Sequence, residues 1–192
     1  MKPKIILILA GLIIIAGLVA FGWYFIPKLH LPKTIIKSAT TTPGYYQINY
    51  VVDGDTIAVN MDGKEEKVRL IGLDTPETKK PNSPVECFGK AASDYAHKLM
   101  DNQSVRLETD PINTNRDRYD RLLRYVYLKD GRMINREMIT QGYGFAYLSF
   151  PFTKSDEFRQ YQKEASEAER GLWASGVCEI HDVNGRNKTN TL

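Results

Sequence analysis

The pattern of apolar and polar positions divides the chain into stretches of different period. Residues 5–26 have no period: they form an uncharged run rich in Ile, Leu, Ala and Gly. As a helix this run measures about 33 Å at ~1.5 Å per residue, enough to cross a hydrocarbon core of about 30 Å. Lys2 and Lys4 precede it, Trp23 and Tyr24 stand near its far end as interfacial aromatics, and Pro27 stops it. The segment 1–27 therefore reads as a membrane anchor, here a transmembrane helix. The alternative is a cleaved signal segment, for which Leu18-Val19-Ala20 is a passable site, but the run exceeds the ~7–15 apolar residues of a usual signal. Either reading expects the rest of the chain outside the cytoplasm, tethered in the first case and secreted in the second.

Residues 28–44 are a polar linker containing Ser38, a threonine run and Pro43. Residues 45–178 carry the periodic elements. β-Branched and aromatic positions at 46–52 and 56–59 predict two strands, and Met61-Asp62-Gly63-Lys64 predicts a hairpin turn into a third strand over 67–73. A helix is expected over 89–100, with Ala92, Tyr95, Ala96 and Leu99 on one face. Strands over 104–109 and 122–128 follow, then a helix over 133–141. The last helix shows Phe158, Tyr161, Ala165, Ala168 and Leu172 at three- and four-residue spacing, with Gly171 at its end. Residues 179–192 are a polar tail, expected to be disordered from 184 onward.

This order is α+β. Five short antiparallel strands leave open edges unless they close, so the predicted fold is a five-stranded OB-fold β-barrel capped by three helices and preceded by the transmembrane helix. Composition adds one restriction. Of 26 Lys+Arg and 23 Asp+Glu, five lysines and no acid fall in residues 1–40, which leaves the body 21 basic and 23 acidic groups. The basic balance belongs to the N-terminus, and any polyanion binding by the body requires a local patch. Two cysteines, Cys87 and Cys178, exclude a disulfide scaffold and a C-x-x-C metal site. With an oxidising exterior they are candidates for one bridge; the alternative is two buried free thiols.

Three clusters are candidates for chemistry. The first is Asp53-Gly54-Asp55-Thr56, between the first two strands. The second begins at Arg69 and runs through Asp74-Thr75-Pro76-Glu77-Thr78. The third is Arg116-Asp117-Arg118-Tyr119-Asp120-Arg121. Singly they read as a turn, a helix entry and a surface ion-pair run. Together they supply two carboxylates able to share a hard cation, a third to deprotonate a water, and two arginines able to fork a phosphate. Phosphodiester hydrolysis needs these groups, because negative charge accumulates on phosphorus in the transition state.

In this order and spacing the clusters resemble the thermonuclease (staphylococcal nuclease-like) family. Further matches lie at 86–92, 135–142 and Gly171-Leu172-Trp173, so that the resemblance covers about 46–175. It implies an OB-fold barrel with three helices and Ca2+-dependent cleavage of DNA and RNA to 3′-phosphate products; the expected substrate is single-stranded or frayed, and the expected state a monomer. Position by position it implies Arg69, Glu77 and Arg121 as catalytic residues. Asp55, Asp74 and the main-chain oxygen of Thr75 match calcium ligands, and Asp53 a nearby acid. Tyr119 and Tyr147 match residues beside the bound nucleotide, with plain barrel packing as the alternative. Asp120 departs from the pattern, standing where the family's best-known member has glycine; it is expected to weaken the Arg121 contact or to pair with Arg118 or Arg124. A catalytically inactive, membrane-tethered OB module that binds nucleic acid or protein is the rival reading. Such a module is expected to lose a catalytic or calcium-binding residue, and none is missing.

Overall fold

A computed structural model of the chain describes residues 44–78 and 84–191. The predicted anchor and nearly all of the linker lie outside the described residues. Among the described residues no helix is long and apolar enough to cross a membrane.

Strands β1 (Tyr46–Asp53), β2 (Thr56–Met61) and β3 (Lys64–Leu70) form an antiparallel meander, and Asn60 caps its second turn by accepting from the Gly63 N–H at 2.8 Å. β3 then breaks. Gly72 takes a left-handed φ of 69°, and its α-carbon faces the rings of Phe152 and Phe158 so closely that a side chain there would overlap them. The chain resumes as a separate two-residue strand, β4 (Leu73–Asp74), so the single strand predicted over 67–73 is corrected to two. The break turns Asp74 off the barrel wall and pairs β4 with β7 (Phe145–Ala146), an element the periodicity did not reveal.

The helix α1 (Gly89–Met100) buries Gly89, Ala92, Ala96 and Met100, while Tyr95 stacks on Tyr143 at 4.0 Å. β5 (Ser104–Glu108) and β6 (Leu122–Tyr127) complete the barrel in the order β1-β2-β3-β6-β5, closed by β1 against β5. The β3–β6 pair is parallel, a detail the expected antiparallel set did not include. α2 (Ile134–Thr140) packs on the barrel, and the fully buried Asn135 joins strand to loop: its oxygen accepts from Val126 N and its amide donates to Ile71 O, both at 2.9 Å. α3 (Ser155–Glu167) buries Phe158 and Ala165. It stops earlier than predicted, because Glu169 and Gly171 take positive φ; Leu172 fills the core from a 3-10 turn over Gly171–Trp173. The interior is aliphatic and aromatic, with Ile57, Val59, Val68, Leu70, Val126 and Met138 in one cluster with Tyr125 and Phe158.

Residues 180–189 form a hairpin, where a disordered tail is expected from 184 onward. Ile180–Asp182 (β8) and Asn187–Thr189 (β9) pair antiparallel around an Asn184-Gly185 turn with φ of 56° and 77°. Cys87 and Cys178 are joined in a disulfide with α-carbons 5.9 Å apart, which fixes the start of this hairpin beside the N-terminus of α1.

Candidate active site

The end of β1, the start of β2, the end of β3 and the approach to β6 meet at one end of the barrel. Thr56 faces Arg69 across the β2–β3 ladder, and Val68 and Arg69 lie beside Leu122 and Leu123. Asp53 closes the β1–β2 turn by accepting from Asp55 N at 3.0 Å. Gly54 in that turn lies against Thr75, where an added side chain would come within 2.6 Å of the Thr75 hydroxyl. This close approach brings Asp55 to the loop after β4: Thr75 N donates to Asp55 Oδ2 at 3.4 Å.

Asp55 and Asp74 are both buried, and both face one guanidinium. Arg69 Nη2 lies 3.0 Å from Asp55 Oδ2 and 3.6 Å from Asp74 Oδ1. Its Nη1 donates to the Leu73 carbonyl at 2.7 Å, which fixes the fork. Burial pushes the Asp55 carboxyl up to about 6 against the pull of Arg69, with Asp53 adding to the rise. Asp74 is likewise raised by burial, although Arg186 and Arg69 oppose it. Two such carboxylates, beside the loop that carries Thr75, offer hard oxygen donors that fit a divalent cation completed by water or substrate oxygens. Among the described residues no group of three or more His, Cys, Asp or Glu forms a fuller cage.

Arg121 approaches from the other side. Its Nη1 lies 3.4 Å from the Thr56 hydroxyl, which itself donates to Asp55 Oδ1 at 2.9 Å. Asp117 holds the opposite edge of the fork, accepting from Nε at 2.7 Å and from Nη2 at 2.6 Å. Tyr119 is 63% exposed and lies under Arg121 and Arg118, with ring-centroid distances of 5.4 and 4.7 Å; it is a surface ring and not barrel packing. Asp120 takes φ 63°, the conformation that favours glycine at this position. Its carboxylate pairs with Arg116 at 3.5 Å and is 87% exposed, so the expected partners Arg118 and Arg124 are corrected to Arg116.

Glu77 lies in the loop that follows β4, three residues past Asp74 and two past Thr75. Its main chain is fixed on both sides: Glu77 N donates to Glu86 Oε2 at 3.0 Å, and Glu86 N donates to Glu77 O at 2.9 Å. Its carboxylate accepts from Thr78 N at 3.0 Å. Tyr147 is half-buried, edge-on to Phe150, and covered by the Arg186 guanidinium at 5.3 Å. The structure thus brings Asp53, Asp55, Arg69, Asp74, Thr75 and Arg121 into one connected group, with Glu77 on the same loop and the two tyrosines at its margins. Sequence reasoning missed Asp117 as the partner of Arg121, although the Asp-x3-Arg spacing was visible. It also missed Arg186, which follows the tip of the ordered tail.

A closed five-stranded barrel of OB type, with paired carboxylates and two fixed arginines at one end, defines a protein built to handle phosphate esters. Comparison with known proteins agrees. The family model described as staphylococcal nuclease homologue matches residues 67–175. A thermonuclease of Staphylococcus intermedius is 44% identical over 142 residues, 71% of this chain and 81% of that protein. A thermonuclease of Staphylococcus hyicus is 43% identical over 131 residues, covering 68% and 76%. Endonuclease YncB of Bacillus subtilis is 39% identical over 141 residues, covering 72% and 66%. The chain belongs to the staphylococcal nuclease homologue family, and its class is that of a nuclease, a hydrolase of phosphodiester bonds.

Proposed function

We propose that the protein is a divalent-cation-dependent endonuclease, using calcium, that hydrolyses DNA and RNA to 3′-phosphate products. One observation carries this reading: Asp55 and Asp74, both buried, converge with Arg69 on one point, and Arg121 reaches the same point through Thr56. Asp55, Asp74 and the Thr75 carbonyl would hold the cation, which when bound supplies positive charge to polarise a phosphate oxygen.

Glu77 takes a proton from the attacking water, whose oxygen forms the new bond to phosphorus as the bond to the 5′ oxygen breaks and that oxygen takes a proton from solvent to leave as a hydroxyl. Arg69 and Arg121 place their guanidinium groups where charge grows on the phosphoryl oxygens, and their fixed partners lower the reorganisation this requires. Tyr119, exposed beside Arg121, offers a ring for the nucleotide next to the scissile bond, and Tyr147, half-buried beside Arg186, offers a second. Asp53 acts only by holding the turn that positions Asp55. A location outside the cytoplasm belongs to this reading, supported by the apolar run at 5–26 and by the Cys87–Cys178 bridge.

Cleavage of a short single-stranded DNA by the full chain, with Ca2+ and with excess chelator, tests the cation. Activity is expected only with Ca2+, and undiminished cleavage in chelator would overturn the metal assignment. Glu77→Gln keeps the shape of the side chain and removes its basicity, so single-turnover cleavage is expected to fall by about 10²–10⁴-fold. A rate within a factor of a few of the parent would remove Glu77 from the chemistry.

A further inference from the structure

The C-terminal hairpin sends a side chain into the candidate cation site. Arg186 lies beyond the stretch that the family model matches, which ends at residue 175. Its guanidinium forks Asp74, with Nε donating to Oδ2 and Nη2 to Oδ1. The Asp74 side chain is 4% exposed and that of Arg186 is 39% exposed, so the arm enters from outside. The aromatic face of Tyr147 supports it at 5.3 Å.

The hairpin is tied down away from its tip. Cys178 bonds to Cys87, Cys87 N donates to Asn190 O at 2.7 Å, and the buried Thr189 donates through its hydroxyl to Cys87 O at 2.9 Å. Lys188 pairs with Glu86 at 2.7 Å, and the same Glu86 accepts from the main chain of Glu77. These bonds hold β9 to the segment before α1. Beyond the β8–β9 pairing, the tip is held by the turn bonds between Val183 and Arg186, the Gly185–Asp182 bond and the arginine fork itself.

A carboxylate with both oxygens in a guanidinium fork has its strongest acceptor directions taken, and a divalent cation set beside that guanidinium meets like charge. Arg69 is placed differently: it is fixed by the Leu73 carbonyl, lies nearer Asp55 than Asp74, and flanks the pair without forking Asp74. We infer that the β8–β9 hairpin is an autoinhibitory strap, in which Arg186 holds Asp74 and a divalent cation binds there only by displacing it. The inference rests on the reading of Asp55 and Asp74 as cation ligands. By linkage the coupling is reciprocal: the arginine weakens cation binding, and the cation loosens the tip while the anchored β9 stays in place.

Calorimetric titration of the full chain with Ca2+ alone, parent against Arg186→Gln, tests this without reference to cleavage. The variant is expected to bind Ca2+ about tenfold more tightly, within the usual range of intramolecular coupling. Arg186→Lys keeps the charge, loses the fork and is expected to fall between the two. Equal or weaker affinity in Arg186→Gln overturns the strap and leaves the metal assignment standing. Absence of Ca2+ binding in both proteins overturns the metal assignment and the strap with it. Amide hydrogen exchange on the unaltered chain gives a second measurement that does not depend on a variant folding. Added Ca2+ is expected to speed exchange at residues 183–186 several-fold while residues 188–190 keep their protection, and unchanged or slower exchange at the tip overturns the inference.

Discussion

Single side chains in this protein are fixed by the groups behind them. Arg121 illustrates this, because Asp117 takes up one edge of its guanidinium and also accepts from the main-chain N–H groups of Tyr119 and Arg121, at 2.9 and 3.0 Å. Asp117 lies below its ordinary carboxyl range: burial raises it, and the side chain and main chain of Arg121 more than offset that rise. Its charge therefore serves orientation and does not titrate near neutrality. Asp117→Asn retains an oxygen for the two main-chain donors but gives up the ion pair with the fork. Turnover is expected to fall by about 10–100-fold, the scale seen for outer groups that orient a site's direct contacts. The KM for a short DNA is expected to change less than kcat, because Arg121 stays in place but samples more orientations. Steady-state kinetics on the folded variant measure both, and a kcat within twofold of the parent would deny Asp117 a positioning role.

At the scale of elements, the repeating pattern of side chains made some features legible and concealed others. β1, β2 and β6 were readable from their β-branched and aromatic residues, α1 and α3 from apolar positions at helical spacing, and the turn at Asp62-Gly63 from its Asp-Gly pair. The break between β3 and β4 was not, since Val68, Leu70, Ile71 and Leu73 stay apolar across it and only the backbone angle of Gly72 separates the strands. The C-terminal hairpin was missed for the opposite reason. It buries little, so it has no apolar face to read; its one strong signal was the Asn184-Gly185 pair at the turn. The paired carboxylates and arginines were legible as residue types at fixed spacings, whereas Arg186 arrives from 112 residues beyond its partner and no local pattern could link them. Asp110, just past β5, is another such long-range tie. It is buried and accepts from Tyr125 Oη at 2.7 Å, Thr153 N at 2.8 Å and Ile112 N at 3.0 Å, joining β6 to the loop before α3. Burial raises its carboxyl, but the bonds from Thr153 and Tyr125 win, and it lies below the usual range. A lowered folded value means that this stabilisation is complete above the unfolded value of about 3.9 and is lost as pH falls through the folded one. Asp110→Asn is expected to cost about 1.5–3 kcal/mol at pH 7, as for bonds to a charged acceptor, and less near pH 2. Urea unfolding at the two pH values checks this; an equal loss at both would show that the charge contributes nothing.

For the molecule as a whole, the barrel, the site and the hairpin are linked through one short stretch, Glu86-Cys87. Glu86 fixes the main chain of Glu77 on one side and Lys188 on the other, and Cys87 carries the bridge to Cys178 across 91 residues of sequence. The chain between the cysteines contains α1, β5, β6, α2 and α3, so the bridge encloses all three of the described α-helices and two of the five barrel strands. A crosslink over so long a loop acts chiefly on the unfolded chain by limiting the conformations open to it, with a model ceiling of about 4–5 kcal/mol and about 2–4 kcal/mol usual in practice. Its second effect is local, since it fixes the start of the hairpin whose far strand is already bonded to Cys87 and Glu86. Reduction should therefore lower global stability without first dissolving the barrel, whose core is independent of the bridge. Guanidinium unfolding of the full chain, with and without reductant, is expected to differ by about 2–4 kcal/mol, with a slightly larger m-value for the reduced form because its unfolded ensemble is more expanded. Cys178→Ser is expected to match the reduced parent and to show no further change with reductant. A midpoint that reductant leaves unmoved in the parent, together with two titratable thiols in the denatured, unreduced chain, would show that the bridge is not formed and that the hairpin is held by its hydrogen bonds alone.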